Sequence, residues 1–333
     1  MPRILALILF SIIGSAFGSA QAGDLPVLTV YTYSSFVSDW GPGPAIKKAF
    51  EAQCACTINF VATEDGVVLL SRLRLEGASS PADVVLGLDT NLTAEAAATG
   101  LFAPHGMDLS HLQLPIAWRD ADFVPYDYGY FAFVYDSTKL KNPPRSLADL
   151  VDGGSTDKIL IEDPRSSTPG LGLMLWIRQV YGDQAPAIWG KLKPRILTVS
   201  KSWDEAYGLF LKGEAPLVLS YTTSPAYHII EEKKTQYAAA EFPEGQYLQV
   251  EVAGVTAHAP HPELAHKFLD FMVSAKFQDV IPETNWMFPV TAVTGGLPSA
   301  FPALPKKSLM IAPDDVAAHR KAWVDEWLAA MSG

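Results

Sequence analysis

The chain has 333 residues, 49% of them hydrophobic, and a formal net charge of -11. Such a charge, with no basic stripe anywhere, argues against a nucleic-acid-binding protein. The length exceeds one compact core, so two lobes are expected, and neither internal repeats nor low-complexity segments interrupt the chain.

The first residues, MPRILALILFSIIGSAFGSAQAGD, carry Arg3, an apolar stretch from Ile4 to about Phe17, and Ala20-Gln21-Ala22 as an A-x-A cleavage site. They read as a secretory signal peptide over 1–22, cut before Gly23 and too short in its apolar run to span a bilayer. No later stretch of about 18 uninterrupted apolar residues occurs, so the mature chain is expected to be soluble. The only cysteines are Cys54 and Cys56. A disulfide between them would close a very small ring, and both a local bridge and two free thiols stay open. No nearby His completes a zinc site, and neither state of the thiols implies catalysis.

PVLTVYTY is a β-rich run that leads into GPGPAIKKAFEAQC, where Pro44 opens a helix with Ile46, Ala49 and Phe50 on one face. TINFVAT reads as a strand, GVVLLSRLRLEG as a helix stopped by Gly77, and ADVVLGLD as a buried strand. TAEAAATGLF is expected to be a helix with Gly100 just past its end. This alternation predicts a mainly parallel α/β sheet. FVPYDYGYFAFVYD is too aromatic and too regular for a loop.

A second alternation follows: SLADLV helix, KILIED strand, a turn and helix over 163–176, and RILTV strand. SWDEAYGLFLKG is a helix with Ser202 and Glu205 placed as a capping box. APLVLSYTTS is a strand and PAYHIIEEKK a short helix opened by Pro225. YLQVEVAGVTA runs extended, HPELAHKFLDFMVSAKFQDVI is helical, and DDVAAHRKAWVDEWLAAM closes the chain as an amphipathic helix with Trp323 and Trp327 on its core stripe. Two α/β units joined by extended crossings near 124–134 and 247–254 describe a hinged two-lobe protein. The expected division is lobe 1 over 23–124, lobe 2 over 125–249, and a return to lobe 1 with the C-terminal helix over 250–333.

Ligands of such sheets bind beyond the carboxyl ends of the strands. Four stretches stand there: TEDGV, RSSTPG, SKSWDE and SYTTSPAY. Glu64 and Asp65 offer carboxylates, Ser167, Thr168, Thr222, Thr223 and Ser224 offer hydroxyls, and Trp203, Tyr221 and Tyr227 offer flat faces. In DPRSSTPGLGLMLW, Thr168 stands where an N-cap belongs and Pro169 at the first helical position, which makes the turn a candidate anion cradle. One ligand uses all three chemistries: a flat aromatic cation that bears a phosphate. Each stretch also has a purely structural use, as a helix cap or a turn, and only their convergence favours binding. No G-x-S-x-G elbow or H-E-x-x-H motif occurs, and Pro260 and Pro262 break the spacing of His258, His261 and His266.

The segments VLTVYTYSSFVSDWGPGPAIKKAFE, ADVVLGLD, FVPYDYGYFAFVYD, KLKNPP, DPRSSTPGLGL, YGLFLKGE, LVLSYTTSPAYHI and NWMFPV together resemble the periplasmic thiamine-binding proteins of bacterial thiamine ABC transporters. The resemblance covers essentially the whole mature chain. It implies a type II-like, two-lobe periplasmic binding protein fold with the ligand between the lobes. It further implies capture of thiamine, thiamine phosphate and thiamine pyrophosphate, no cofactor, no catalysis, and delivery to a membrane permease powered by an ATPase. By the same resemblance Asp65 and Gly66 form a ligand-binding pair and Ser167 and Thr168 lie in a phosphate turn. Trp203 stacks on the ligand, and Tyr221, Thr222, Thr223 and Ser224 form a further binding run. Tyr33, Trp40, Tyr227 and Trp286 are expected to line the same cleft, in a monomer. Ser166 stands where Thr is more usual, and VTGGLPSAFPALPKKS matches poorly. Two other classes remain as alternatives. A ferric-ion-binding protein would use tyrosines, but SYTTSPAY lacks the adjacent tyrosine pair of that family. A thiaminase-like enzyme would need a cysteine nucleophile.

Overall fold

The computed structural model describes residues 25–152, 154 and 156–332, so the expected signal segment lies outside the described residues. The strands of the first half are β1 (Val27–Tyr33), β2 (Thr57–Thr63), β3 (Val84–Asp89), β4 (Phe102–Ala103), β5 (Phe123–Asp136) and β6 (Ile159–Glu162). Those of the second half are β7 (Ile196–Ser200), β8 (Leu217–Tyr221), β9 (Tyr237–Ala239), β10 (Gln246–Thr256), β11 (Phe288–Pro289) and β12 (Ser308–Leu309).

The main path runs β2-β1-β3-β10-β5-β8-β6-β7. β1 is parallel to β2 and β3, and β6 is parallel to β7 and β8. Between these two parallel units lie β10 and β5, antiparallel to each other and to their outer neighbours β3 and β8. These are the two extended crossings. The first part of β5 pairs with β10 and the part from Phe131 onward pairs with β8, so one strand serves both lobes. Parallel strands need crossover helices, which cover the sheet faces and leave the strands apolar on both sides. β3 shows the result, with all six residues buried.

Local chemistry sets most element ends. Gly77 ends the helix Gly66–Glu76, and Gly213 at φ 84° ends the helix Trp203–Lys212. The helix Thr93–Ala97 stops earlier than expected, with Ala98 as its C-cap and Gly100 at φ 68° in the turn beyond. The segment after His261 breaks into Pro262–Met272 and Ala275–Gln278, because Ser274 is extended and starts the second piece. Cys54 and Cys56 are bonded to one another, which closes the alternative of two free thiols.

The closing helix Pro313–Ser332 touches both units. Arg320 pairs with Glu95 at 2.6 Å, while Arg178 pairs with Glu326 and lies 5.4 Å over the Trp323 ring. Trp327 is buried edge-on against Trp189, with ring centroids 6.2 Å apart.

Candidate functional site

Strands β2, β6, β7 and β8 each end where a helix begins: Gly66–Glu76, Thr168–Tyr181, Trp203–Lys212 and Ser224–Ile230. These helix starts gather around a cavity of about 240 Å³. Tyr33, Trp40, Asp65, Trp203, Tyr221, Ser224, Tyr227 and Trp286 line it, as do Glu64, Asp204, Tyr207, Glu251 and Asn285. Gly66, Ser167, Thr168, Thr222 and Thr223 do not line it. All five are buried beside residues that do.

Ser167, not Thr168, is the N-cap of the helix Thr168–Tyr181, and its Oγ accepts from Gly170 N. Ser167 is the residue with extended backbone, whereas Thr168 and Pro169 already belong to the first turn. Asp65 caps the helix Gly66–Glu76, taking Gly66 N on Oδ1 at 2.8 Å, and accepts from Ser167 Oγ on Oδ2 at 2.9 Å. The carboxylate of Asp65 thus lies between two helix N-termini, where a negative charge is favoured. Burial nevertheless raises its pKa, against the donors Gly66, Ser167 and Thr168. Asp65 is a buried helix cap and not a surface turn. Gly66 is required by space: a Cβ there would meet Gly87 O at 2.5 Å and Thr168 Oγ1 at 2.6 Å.

The aromatic wall is held from behind. Ser202 caps the helix Trp203–Lys212 and accepts from Glu205 N, while Glu205 Oε2 takes Lys201 N at 3.1 Å. Trp203 stacks on Tyr207 at 5.0 Å and 20°, and its Nε1–H donates to Ser220 Oγ at 2.8 Å. Ser220 Oγ meets Ser224 Oγ at 2.7 Å, and Ser224 Oγ also accepts from Tyr221 N. Tyr207 OH meets His228 Nε2 at 2.9 Å, and His228 Nδ1 meets Glu232 Oε2 at 2.6 Å. Trp40 comes within 6.2 Å of Trp203 from the other lobe. Trp286 packs edge-on against Tyr227 at 5.4 Å and holds φ 56°, a left-handed conformation that is costly for a bulky residue. Thr222 N donates to Tyr130 O, and Thr223 precedes the helix Ser224–Ile230 as its cap residue.

The floor is acidic, which the sequence reading missed. Glu251 Oε2 accepts from Tyr126 OH at 2.7 Å and Tyr33 OH at 2.9 Å, and its Oε1 accepts from Gln249 Nε2 at 3.0 Å. Asn285 Nδ2 donates to Asp127 Oδ2 at 2.6 Å, and Tyr221 OH donates to Gln249 Oε1 at 2.8 Å. The available signal was an acid in the middle of each aromatic or apolar crossing: Asp127 in FVPYDYGYFAFVYD and Glu251 in YLQVEVAGVTA. Asp89 accepts twice from Asn91, yet burial and the nearby Glu251 push its carboxyl up to about 7. Burial likewise raises the pKa of Asp127, Glu162 and Glu251. The hydrogen bonds that these carboxyls accept come from neutral donors. At the rim, burial raises the pKa of Asp204 while Ser34 Oγ donates to it at 2.8 Å.

Such a site suits a cation with flat rings: aromatic faces stack on it, and the carboxyls beneath have no cationic partner of their own. Among the described residues no three His, Cys, Asp or Glu side chains gather as metal ligands.

The bacterial extracellular solute-binding protein family matches residues 20–279. The chain is 58% identical over 335 residues to the thiamine-binding periplasmic protein of Brucella melitensis biotype 1, covering 99% of each. It is 60% identical over 309 residues to the thiamine-binding periplasmic protein of Escherichia coli, covering 92% of this chain and 94% of that one. A solved periplasmic thiamin binding protein superposes with a TM-score of 0.91 at 60% identity, over 93% of this chain and 97% of the other. With two lobes, a cleft between them and relatives matched nearly end to end, the chain belongs to the bacterial extracellular solute-binding proteins, in the family of the thiamine-binding periplasmic proteins.

Proposed function

We propose that this protein captures thiamine, thiamine phosphate and thiamine pyrophosphate in the periplasm. It then delivers them to the permease of a thiamine ABC importer, which its ATPase drives. The observation that carries this reading is the cavity itself, walled by Trp203, Tyr227, Trp286 and Trp40 and underlain by Glu251. Thiamine is a monocation of two flat rings joined by a methylene, and relatives 58% and 60% identical are thiamine-binding periplasmic proteins.

In this reading the rings of Trp203, Tyr227 and Trp286 stack on the ligand, with Tyr33, Trp40 and Tyr221 closing around it. The helix starts at Gly66 and Thr168 already hold the Asp65 carboxylate, so Gly66, Ser167 and Thr168 shape this end of the cleft and do not take the phosphate. Thr222, Thr223 and Ser224 support that wall. The role is binding, not catalysis: Cys54 and Cys56 are bonded to each other, so neither is a free nucleophile for a thiaminase reaction. A ferric site finds less support, since the phenols of Tyr33 and Tyr221 are engaged by Glu251 and Gln249.

Isothermal titration with the three thiamine compounds tests the proposal, beside native mass spectrometry of protein isolated from the periplasm. Saturable one-to-one heats and a co-purified ligand mass are expected. No heat with any of the three would overturn it.

A further inference from the structure

The strand pairing forces two carboxyls together under the cavity. Glu251 on β10 and Asp127 on β5 are direct cross-strand partners. Like charges in that position repel. The amide of Asn285 bridges the two, its Nδ2 donating to Asp127 Oδ2 at 2.6 Å and to Glu251 Oε2 at 3.3 Å, and two buried carboxyls held so close disfavour a second negative charge. Asp127 is fully buried and its Oδ1 has no hydrogen-bond partner among the described residues, while Glu251 reaches the cavity surface.

The groups around the pair bring no positive charge to it. β1 contributes the phenol of Tyr33, β5 the phenol of Tyr126, and the segment after the helix Ile281–Thr284 the neutral amide of Asn285. β10 itself adds the amide of Gln249. Asp65 from the opposite helix start and Asp89 from β3 interact with Glu251 as further acids. Both phenols are pushed well above their ordinary values, by burial and then by Glu251, so they stay protonated donors.

Resting on the thiamine reading above, we propose that Asp127 and Glu251 are the counter-ion of the bound cation, sharing one proton that passes to solvent when the cation enters. Charge balances across the step: the site gains one positive ligand and loses one proton. Glu251 touches the ligand, and Asp127 acts through Glu251 as a positioning residue and proton store. A neutral compound of the same shape leaves the proton in place and gains nothing from the pair. This makes the pair a specificity determinant for positively charged heterocycles.

The test is titration of thiamine near neutral pH in buffers of different ionisation enthalpy. The wild-type protein should release about one proton per thiamine, and its affinity should rise by up to about tenfold per pH unit until the pair is ionised. Asp127→Asn supplies Glu251 with a neutral amide donor, so it should bind thiamine with no proton release and a flat pH profile. Glu251→Gln should weaken thiamine binding more than tenfold. Should Asp127→Asn not fold, the infrared absorption of protonated carboxyls in the wild-type protein serves instead, and thiamine should lower it by one carboxyl's share, while an unchanged absorption would overturn the proposal. Tight, pH-independent binding without proton release overturns the proposal and leaves the thiamine reading standing. No thiamine binding at all removes that reading, and the counter-ion role with it.

Discussion

Ser167 Oγ donates to Asp65 Oδ2 across 2.9 Å, joining two helix starts that lie 102 positions apart in the chain. The same two residues cap their own helices, so the bond couples two caps that local sequence would treat as independent. Each cap alone is worth about 0.5 to 2 kcal/mol. A double-mutant cycle of Asp65→Ala and Ser167→Ala, read by urea unfolding, should show a coupling of about 0.5 to 3 kcal/mol beyond the separate losses. Strict additivity would mean that the lobes do not meet here in solution.

Gly66 tests the same contact by adding bulk. A methyl group at this position overlaps Gly87 O and Thr168 Oγ1. The backbone on one side cannot give, so Gly66→Ala should cost about 1 to 3 kcal/mol of stability. It should also weaken every thiamine compound, because it separates the helix starts on which the cleft closes. Thermal melts and titrations on one preparation measure both effects, and a neutral Gly66→Ala would refute the close approach.

The stack of Trp203 on Tyr207 places an indole face at the cavity. Trp203→Ala should reduce thiamine affinity by about 1 to 3 kcal/mol and diminish ligand quenching of tryptophan fluorescence. Trp203→Phe keeps a ring but loses the bond to Ser220, so its loss should be smaller, near 1 kcal/mol. Equal affinities for wild type and Trp203→Ala would remove this ring from the site.

Stability in the absence of thiamine should fall as pH rises toward neutrality. Asp89 goes from an ordinary 3.8 to about 7 on folding, so the folded state holds its proton where the unfolded state has lost it. Its contribution is complete below about pH 4 and is lost as pH rises through about 7, on the order of 4 kcal/mol for this one buried group. The upward shifts of Asp127, Glu162 and Glu251 act in the same sense. Glu51 and Glu76 are shifted down and oppose the trend only on the acid side, below their ordinary 4.5. Melts from about pH 5 to about pH 8 should therefore show a falling Tm, and a rising Tm would contradict the buried, protonated carboxyls.

The elements and their order were legible because the forces that shape them are local. Apolar period, glycine stops and proline starts act over a few residues, and they marked the helices Gly66–Glu76 and Trp203–Lys212 and both crossings. The cap of the helix Thr168–Tyr181 is not legible to the residue, because Ser167 and Thr168 are both acceptable caps and only the backbone path chooses between them. Nor does ring size alone say whether the thiols of Cys54 and Cys56 meet.

By itself the sequence determined two parallel α/β units, the strand ends where a ligand would bind, and the aromatic and hydroxyl groups waiting there. Only the tertiary structure decided what those groups face. Asp65 reads as a free carboxylate until Ser167 arrives from the other lobe. Asp127 and Glu251 read as isolated acids in two apolar strands, and register alone sets them opposite one another. A one-residue slip of either strand would turn those side chains to the other face, and no local signal along the chain records which register holds. The acidic floor of the cleft is thus a product of pairing between strands more than a hundred residues apart, and its chemistry exists only once they meet.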